Sequence, residues 1–270
     1  MVLKQSKRII TGDLREQKCI MDVKQTNENK NAIFKNTTQL CSSFKINWIF
    51  WLTMIGCVLV IAKYGQKGDC NNIGCNSYIS AFYTIIFAIV SGWYVHYLSH
   101  AYNLEKLYDD STNFLARVLK CNKHIDYFIR TVIRYTFDFH DKYHHDSKIN
   151  KEPFYIVWEF LVNLVLEGGW LILLVNLFSL KLDVGFTILA LNKSILWLWG
   201  LLYASAHNIN YIILDSEQHE KHHLYATTNY GIDTMDILMN TKYDVNNIEN
   251  YNHAAINLIV ITMLILWLKL

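Results

Sequence analysis

Histidine is the residue type whose number and spacing in this chain most clearly suit chemistry. Eight of the eleven histidines fall into three short clusters, H-Y-L-S-H, H-D-K-Y-H-H and H-E-K-H-H. The clusters comprise His96 and His100; His140, His144 and His145; and His219, His222 and His223. Residues three or four positions apart share one face of a helix, so the first and third clusters each bring their imidazoles together. Because imidazole is a common protein ligand for zinc, iron and copper, the clusters predict a metal centre.

The number of imidazoles favours two metal ions over one. A four-coordinate ion uses only about half of the eight clustered rings. A structural zinc site would usually recruit cysteine, and none of the six cysteines lies beside a histidine cluster. Anchoring at a membrane interface is a poor explanation for three clusters, since that role falls to Trp, Tyr, Lys and Arg. We therefore predict a histidine-rich dimetal site.

The composition indicates the kind of fold that must position these clusters. The chain has 270 residues, of which 52% are hydrophobic and 18% charged, with a mean hydropathy of +0.13 and a single proline. Such a chain carries more apolar surface than a water-soluble domain can bury. Collagenous, disulfide-scaffold and mostly disordered classes are excluded, and an all-α multi-pass membrane protein is predicted.

Four apolar runs are long enough to cross the hydrocarbon core of a bilayer, which takes about 20 helical residues. They are predicted to form four transmembrane helices in two hairpins, at residues 46–64, 78–97, 154–180 and 184–206. Asn192 and Lys193 leave the limits of the fourth run open. The polar segments 99–152 and 207–251 have no run of spanning length, and they carry most of the clustered histidines.

The distribution of charge predicts which side of the membrane the histidines face. Residues 1–45 contain nine Lys or Arg against four acidic residues, which places the N-terminus in the cytosol by the positive-inside rule. With four spans, both polar segments then lie on the cytosolic side and form a helical cap that carries the dimetal site. A basic excess beside an apolar run does not indicate a nucleic-acid-binding protein.

Three domains are predicted on this basis. Residues 1–45 are a basic, mobile cytosolic tail with one short helix, residues 46–243 are the membrane domain, and residues 244–270 are a C-terminal tail. The apolar stretch 254–268 in that tail suits an interfacial helix, a short fifth span or a segment packed on the bundle. A disulfide between Cys70 and Cys75 is left open, because the sequence does not show whether their loop faces an oxidising compartment.

The clusters resemble the histidine boxes of the fatty acid hydroxylase and sterol desaturase superfamily, whose members are membrane-bound di-iron oxygenases. The family pattern is HxxxH, HxxHH and a second HxxHH followed by NYG. Here H-Y-L-S-H, H-D-K-Y-H-H and H-E-K-H-H-L-Y-A-T-T-N-Y-G take these places, and M-D-I-L-M-N-T at 235–241 is similar to the family's W-D-x-L-F-G-T. HHLY followed by NYG looks closest to lathosterol-oxidase-type sterol desaturases. The resemblance covers about residues 46–243.

The chain departs from the family pattern at three places. The second box has one extra residue, so a local irregularity of the helix is needed to bring His140 to the other ligands. Met235 replaces the tryptophan of the W-D motif. The histidine and proline usual on the third span are absent, and Glu167 lies in that neighbourhood.

The resemblance implies an activity and a set of ligands. Two irons would use dioxygen to hydroxylate or desaturate a C–H bond of a sterol or fatty acyl lipid in the endoplasmic reticulum membrane, and zinc could replace iron in isolated protein. His207 matches an extra histidine that the family places between its second and third boxes. The implied ligands are His96, His100, His140, His144, His145, His207, His219, His222 and His223.

No haem, flavin or nicotinamide motif is visible, so electrons must come from a separate donor such as a b-type cytochrome and its reductase. Two other functions are kept as alternatives. One is a catalytically inactive relative that binds lipid, and the other is a metal-transporting membrane protein.

Carboxylates near the boxes are candidates for orienting the imidazoles, because a ligating histidine usually donates its second N–H to an acceptor. The candidates are Asp138, Asp141, Asp215, Glu217 and Glu220, each of which equally suits a solvated surface. Glu167 lies inside an apolar run, where a carboxylate normally faces protein, water or a partner. Lys193, similarly placed in the fourth run, is predicted to pair with it.

Overall fold

The computed structural model describes residues 33–65, 77–146, 151–178, 181–183 and 188–270. Cys70 and Cys75 lie outside these residues, so the open disulfide is not addressed. The α-helices are α1 (Ile33–Ile46), α2 (Trp48–Tyr64), α3 (Ser77–Ala101), α4 (Leu104–Asp110), α5 (Phe114–Cys121), α6 (Lys123–Tyr135), α7 (Pro153–Leu164), α8 (Trp170–Phe178), α9 (Lys193–Ile212), α10 (Glu217–Leu224), α11 (Asp233–Met239) and α12 (Ala254–Leu268). Two π-turns, at His140–His144 and Val165–Gly169, complete the helical elements of this part of the chain.

Among the described residues, the regular elements are helices and one short β-hairpin. Strands β1 (Lys181–Asp183) and β2 (Ile188–Ala190) pair antiparallel between α8 and α9. The prediction of a helical run from residue 184 is therefore wrong at its start, because α9 begins only at Lys193. Asn192 fixes this start, since its side chain accepts a hydrogen bond from the Ile195 amide 3.1 Å away and caps the helix.

Two helical stretches in the described residues are long and apolar enough to cross a membrane. They are Tyr78–Ala101 in α3 and Pro153–Asn176, which joins α7, the second π-turn and α8. A third candidate is the pair of helices 37–46 and 48–64, which meet at an angle of 75°. The structure thus contains two or three of the predicted membrane-spanning helices.

The bend between α1 and α2 is held by residues near the other end of the sequence. The Asn47 side chain donates to the Glu249 carbonyl (2.9 Å) and accepts from the Tyr251 amide (2.6 Å). The Asn252 side chain accepts from the Phe50 amide (3.1 Å) and donates to the Ile46 carbonyl (2.8 Å). The Asn252 bonds satisfy backbone groups that the bent helix end leaves unpaired, and the Asn47 bonds hold residues 249–251 against the bend.

Helix α12 packs against α2 and α9, and Leu258 and Ile265 are fully buried. Its opposite face exposes Ile256, Met263 and Trp267. Packing on the bundle is one of the three alternatives predicted for residues 254–268, and a short fifth span would pack in the same way.

The predicted short helix in the N-terminal segment is present as α1, but it belongs to the fold. Helix α1 packs against α11, and Ser43 is buried there. Helix α1 ends at Ile46, one residue beyond the predicted end of the tail. Residues 1–32 lie outside the described part of the chain.

Candidate metal centre

Histidines from all three clusters meet in three overlapping groups, of which two consist only of cluster residues and the third joins His140, His144 and His207. The first group joins His96 and His100 from α3, His140 from the first π-turn and His222 from α10. The Nε2 atom of His140 lies 2.9 Å from that of His96 and 3.3 Å from that of His222. The Nε2 atoms of His100 and His222 are 3.1 Å apart. We call this group site 1.

The second group, site 2, joins His144 with His219 and His223 of α10. The Nε2 atom of His223 lies 2.8 Å from that of His144 and 2.9 Å from that of His219. The third pair, His144 and His219, has its Nε2 atoms 3.1 Å apart. The predicted ligand His207 lies beside this site, with its ring centroid 4.9 Å from that of His144 and 4.6 Å from that of His219.

The first π-turn accommodates the extra residue of the second histidine cluster. The His145 amide donates to the His140 carbonyl, five residues earlier, at 3.2 Å. A π-turn holds more residues per turn than an α-helix, so residues spaced i, i+4 and i+5 come to one side. This is the local irregularity that the spacing required. As a result His140 reaches site 1 and His144 reaches site 2.

His145 lies between the two sites. Its Nε2 atom is 3.3 Å from that of His140, and its ring stacks on His223 with centroids 4.4 Å apart. The sequence-based ligand set is therefore gathered in one place, with seven histidines in the two sites and with His145 and His207 adjoining them.

Backbone carbonyls orient two imidazoles of site 1. The Nδ1 atom of His96 lies 2.5 Å from the Tyr230 carbonyl oxygen, and that of His222 lies 2.6 Å from the Thr228 carbonyl oxygen. A carbonyl only accepts, so each Nδ1 must carry the proton and donate it. Each Nε2 then presents a lone pair to the interior of the site, as a metal ligand does.

The segment that supplies these carbonyls is held by Asp236. Its carboxylate accepts hydrogen bonds from the Tyr230 and Gly231 amides, both at 3.0 Å, and from the Trp93 indole at 3.1 Å. Trp93 lies one helical turn before His96 on α3, so one buried carboxylate ties the N-Y-G segment to the helix that carries the first cluster. The aspartate of M-D-I-L-M-N-T thus positions site 1.

Glu159 plays the orienting role at site 2, and the sequence analysis missed it. Its Oε1 atom lies 2.8 Å from Nδ1 of His144 and 2.8 Å from Nε2 of His207. The signal was available, because Glu159 is an acidic residue within the apolar run 154–180, as Glu167 is. Tyr203 was also missed, and its hydroxyl oxygen lies 2.9 Å from Nδ1 of His96.

The acidic residues predicted to orient the imidazoles form other contacts or are exposed to solvent. Asp138 accepts from the Leu104 and Glu105 amides at 2.9 and 3.0 Å and so caps α4. Asp215 lies 3.4 Å from Lys151, and Glu217 bonds Asn247. The remaining two, Asp141 and Glu220, are exposed.

The predicted ion pair between Glu167 and Lys193 does not form among the described residues. Lys193 is the first residue of α9. The buried Glu167 side chain lies against Gly92 of α3 and Trp199 of α9, and Trp199 is almost two helical turns after Lys193. A Cβ atom added at Gly92 would overlap Glu167 Oε2 and lie 3.0 Å from Trp199 Nε1. Glycine at position 92 therefore leaves room for the Glu167 carboxylate and the Trp199 indole beside α3.

Burial sets the charge state of the clustered histidines. Loss of solvation, followed by repulsion from neighbouring imidazoles, lowers the pKa of His140, His145 and His219 below the usual range. The same causes lower the pKa of His223 to about 3. These imidazoles are therefore neutral at pH 7, which is the form that binds a metal.

The clustered histidines could hold a metal ion. Each site offers three or four imidazole nitrogens within 4.8 Å of one another. Inward lone pairs at this separation repel unless a cation or proton lies between them, and imidazole ligands suit iron, zinc and copper. The fixed Nδ1 protons at His96 and His222 are the outer contacts that a metal ligand needs. No family model, curated protein or solved structure matches this chain.

Proposed function

We propose that this chain is a membrane-bound di-iron oxygenase that hydroxylates or desaturates a C–H bond of a sterol or fatty acyl lipid. The observation that carries the proposal is the meeting of the three histidine clusters in two adjacent imidazole sites. The resemblance of the clusters and of the N-Y-G segment to the fatty acid hydroxylase and sterol desaturase superfamily supports iron and a lipid substrate.

The chain's own residues prepare the sites for this chemistry. When bound, two irons would supply the activation of dioxygen and the removal of hydrogen from an unactivated C–H bond. The imidazoles are neutral and face inward, because Tyr230, Thr228 and Glu159 accept their outer protons. Since these acceptors lie on the N-Y-G segment and on α7, protein contacts from two elements orient the ligands before a metal or substrate binds.

A cavity beside the histidines offers a route for small molecules. It has a volume of about 100 Å³, touches both sites through His96, His219 and His222, and is walled by the apolar side chains of Trp199 and Leu202. This volume suits dioxygen and water rather than a whole lipid. In the proposal, the lipid carbon to be oxidised approaches from the membrane side of the sites.

The proposed topology has four spans, formed by α2, α3, α7 with α8, and α9. The basic excess in residues 1–45 supports a cytosolic N-terminus. The histidine sites then lie in a cytosolic cap, where a b-type cytochrome and its reductase can deliver electrons. The endoplasmic reticulum is the proposed membrane, on the basis of the family resemblance. Purified chain with NAD(P)H but without a redox partner should show no turnover.

A single substitution tests the proposal. Wild type, His222→Ala and His124→Ala are expressed in a sterol-producing host, and bound metal and lipid composition are measured. His124 is exposed on α6 and remote from both sites, so it is the matched control. We expect new lipid products and about two irons per chain in wild type and control, and loss of products and of site 1 metal in His222→Ala.

The outcomes separate the alternatives. Bound metal with a lipid profile identical to that of the host would overturn the oxygenase and favour an inactive lipid-binding relative. Metal movement across vesicle membranes would favour a transporter. Zinc in the isolated protein would leave the lipid profile as the deciding measurement, because zinc binds imidazole more tightly than iron does.

A further inference from the structure

Helices α5 and α6 form an unusual surface. Both are amphipathic, but their apolar faces point away from the protein. Six apolar side chains are at least one-third exposed: Phe114, Leu115, Val118, Ile125, Phe128 and Val132. Phe114 is 83% and Phe128 67% exposed. Exposed apolar side chains on one face of each helix mark a surface that another medium or partner covers.

The polar face of α6 is the one that contacts the protein. Arg130 lies 2.6 Å from Asp109 of α4, and Arg134 lies 2.6 Å from Glu105 of the same helix. Tyr108 also donates to Asp126 of α6 at 2.9 Å. In a water-soluble protein the apolar face would be turned inward. The reversed arrangement indicates that the medium beyond the apolar face is itself apolar.

The end of α6 lies at the level where a candidate membrane span begins. The Trp158 indole donates to the Tyr135 carbonyl, the last residue of α6, at 2.6 Å. Trp158 is five residues after Pro153, the start of that span, which is about 7.5 Å along a helix axis. The outer face of α7 continues the apolar surface with exposed Phe154 and Val157.

We propose that α5 and α6 lie in the interface of the bilayer, with their apolar faces at the boundary between headgroups and acyl chains. This geometry is that of an interfacial amphipathic helix, whose apolar face enters about 5–10 Å. Arg117 of α5 is exposed and suits phosphate headgroups. The proposal requires α7 and α8 to cross the membrane, but it does not depend on iron or on oxygenase activity.

The test measures where this face lies in the full-length protein in lipid nanodiscs. An environment-sensitive fluorescent amino acid replaces Phe128 or Leu115 on the apolar face, or Lys123 on the polar face as a control. All three positions are exposed, so the replacements disturb no buried packing. Size-exclusion profiles check folding, and each sample is titrated with brominated lipid and with aqueous iodide.

We expect blue-shifted emission and strong quenching by brominated lipid at positions 128 and 115, and quenching by iodide at position 123. Quenching by iodide at 128 and 115 would place the face in water and overturn the proposal. Protection from both quenchers would also overturn it, because a protein partner or a second copy would then cover the face. Metal content, measured on the same samples, reports separately on the proposed function.

Discussion

A contact between Glu159 and His144 links helix α7 to site 2. Glu159 belongs to α7, which begins a candidate span, and its Oε1 atom lies 2.8 Å from Nδ1 of His144 in the first π-turn. A buried carboxylate in this position fixes both the orientation and the protonation of the imidazole.

Glu159→Gln should therefore weaken metal binding at site 2 by about 10- to 100-fold while leaving site 1 occupied. The measurement is metal per chain after dialysis against chelators of increasing strength. Glu152→Gln, at the exposed start of the same helix, is the control and should behave as wild type. Equal loss from both sites in Glu159→Gln would contradict a role specific to site 2.

Deletion of Asp141 tests the π-turn. The shortened cluster, H-K-Y-H-H, would have its histidines at i, i+3 and i+4, which share one face of a regular α-helix. We expect the deletion variant to keep both metals, because Asp141 is exposed and the flanking elements hold their positions.

Deletion of Glu220 is the matched comparison for that experiment. Glu220 is also exposed but lies in the regular helix α10, so its removal leaves the histidines at i, i+2 and i+3. His223 then takes the place of His222 on the helix face, and the i+4 place that site 2 uses is left without an imidazole. Metal should then be lost from site 2. If the deletion of Asp141 were equally damaging, the π-turn would be needed for more than accommodating one residue.

Gly92→Ala should destabilise the bundle by about 1–3 kcal/mol, the usual cost of overpacking a buried site. The added methyl group would overlap Glu167 and crowd Trp199. Gly56→Ala in α2 is the control, since nothing lies within 4 Å of its added Cβ. Thermal unfolding in detergent compares the two variants. Combining Gly92→Ala with Glu167→Ala should recover part of the loss, and no recovery would place the conflict elsewhere.

Acid should destabilise the chelator-treated protein. Burial lowers the pKa of His223 from 6.5 to about 3, so the folded chain binds fewer protons than the unfolded chain between these values. The free energy of unfolding therefore falls as the pH drops through that window. Melting temperatures between pH 7.5 and 4 report this effect. His223→Ala should show a shallower dependence, and an unchanged slope would rule out this histidine as a contributor.

The sequence was a good guide where the signal was local. Helical spacing grouped His96 with His100 and His219 with His222 and His223, and the extra residue in the middle cluster pointed to the irregularity that the first π-turn supplies. Apolar runs located α2, α3 and α7. Each of these depends on residues close together in the chain.

Contacts between distant segments could not be predicted in the same way. The contact between Glu159 and His144 depends on how α7 is oriented about its axis relative to the first π-turn. The predicted pair of Glu167 and Lys193 was wrong. Both residues lie in apolar runs, but this does not determine whether they lie at the same level along neighbouring helices. The packing of α12 depends on α2 and α9, which lie far from it in sequence.

The clasp of Asn47 and Asn252 across the bend of α1 and α2 also has a consequence for biogenesis. Every histidine of sites 1 and 2 lies in the stretch of chain between these two asparagines. The Phe50 amide and the Ile46 carbonyl at the bend bond the Asn252 side chain, which the ribosome adds after every one of these histidines. The contact at the bend can therefore close only after the whole ligand-bearing stretch has been synthesised.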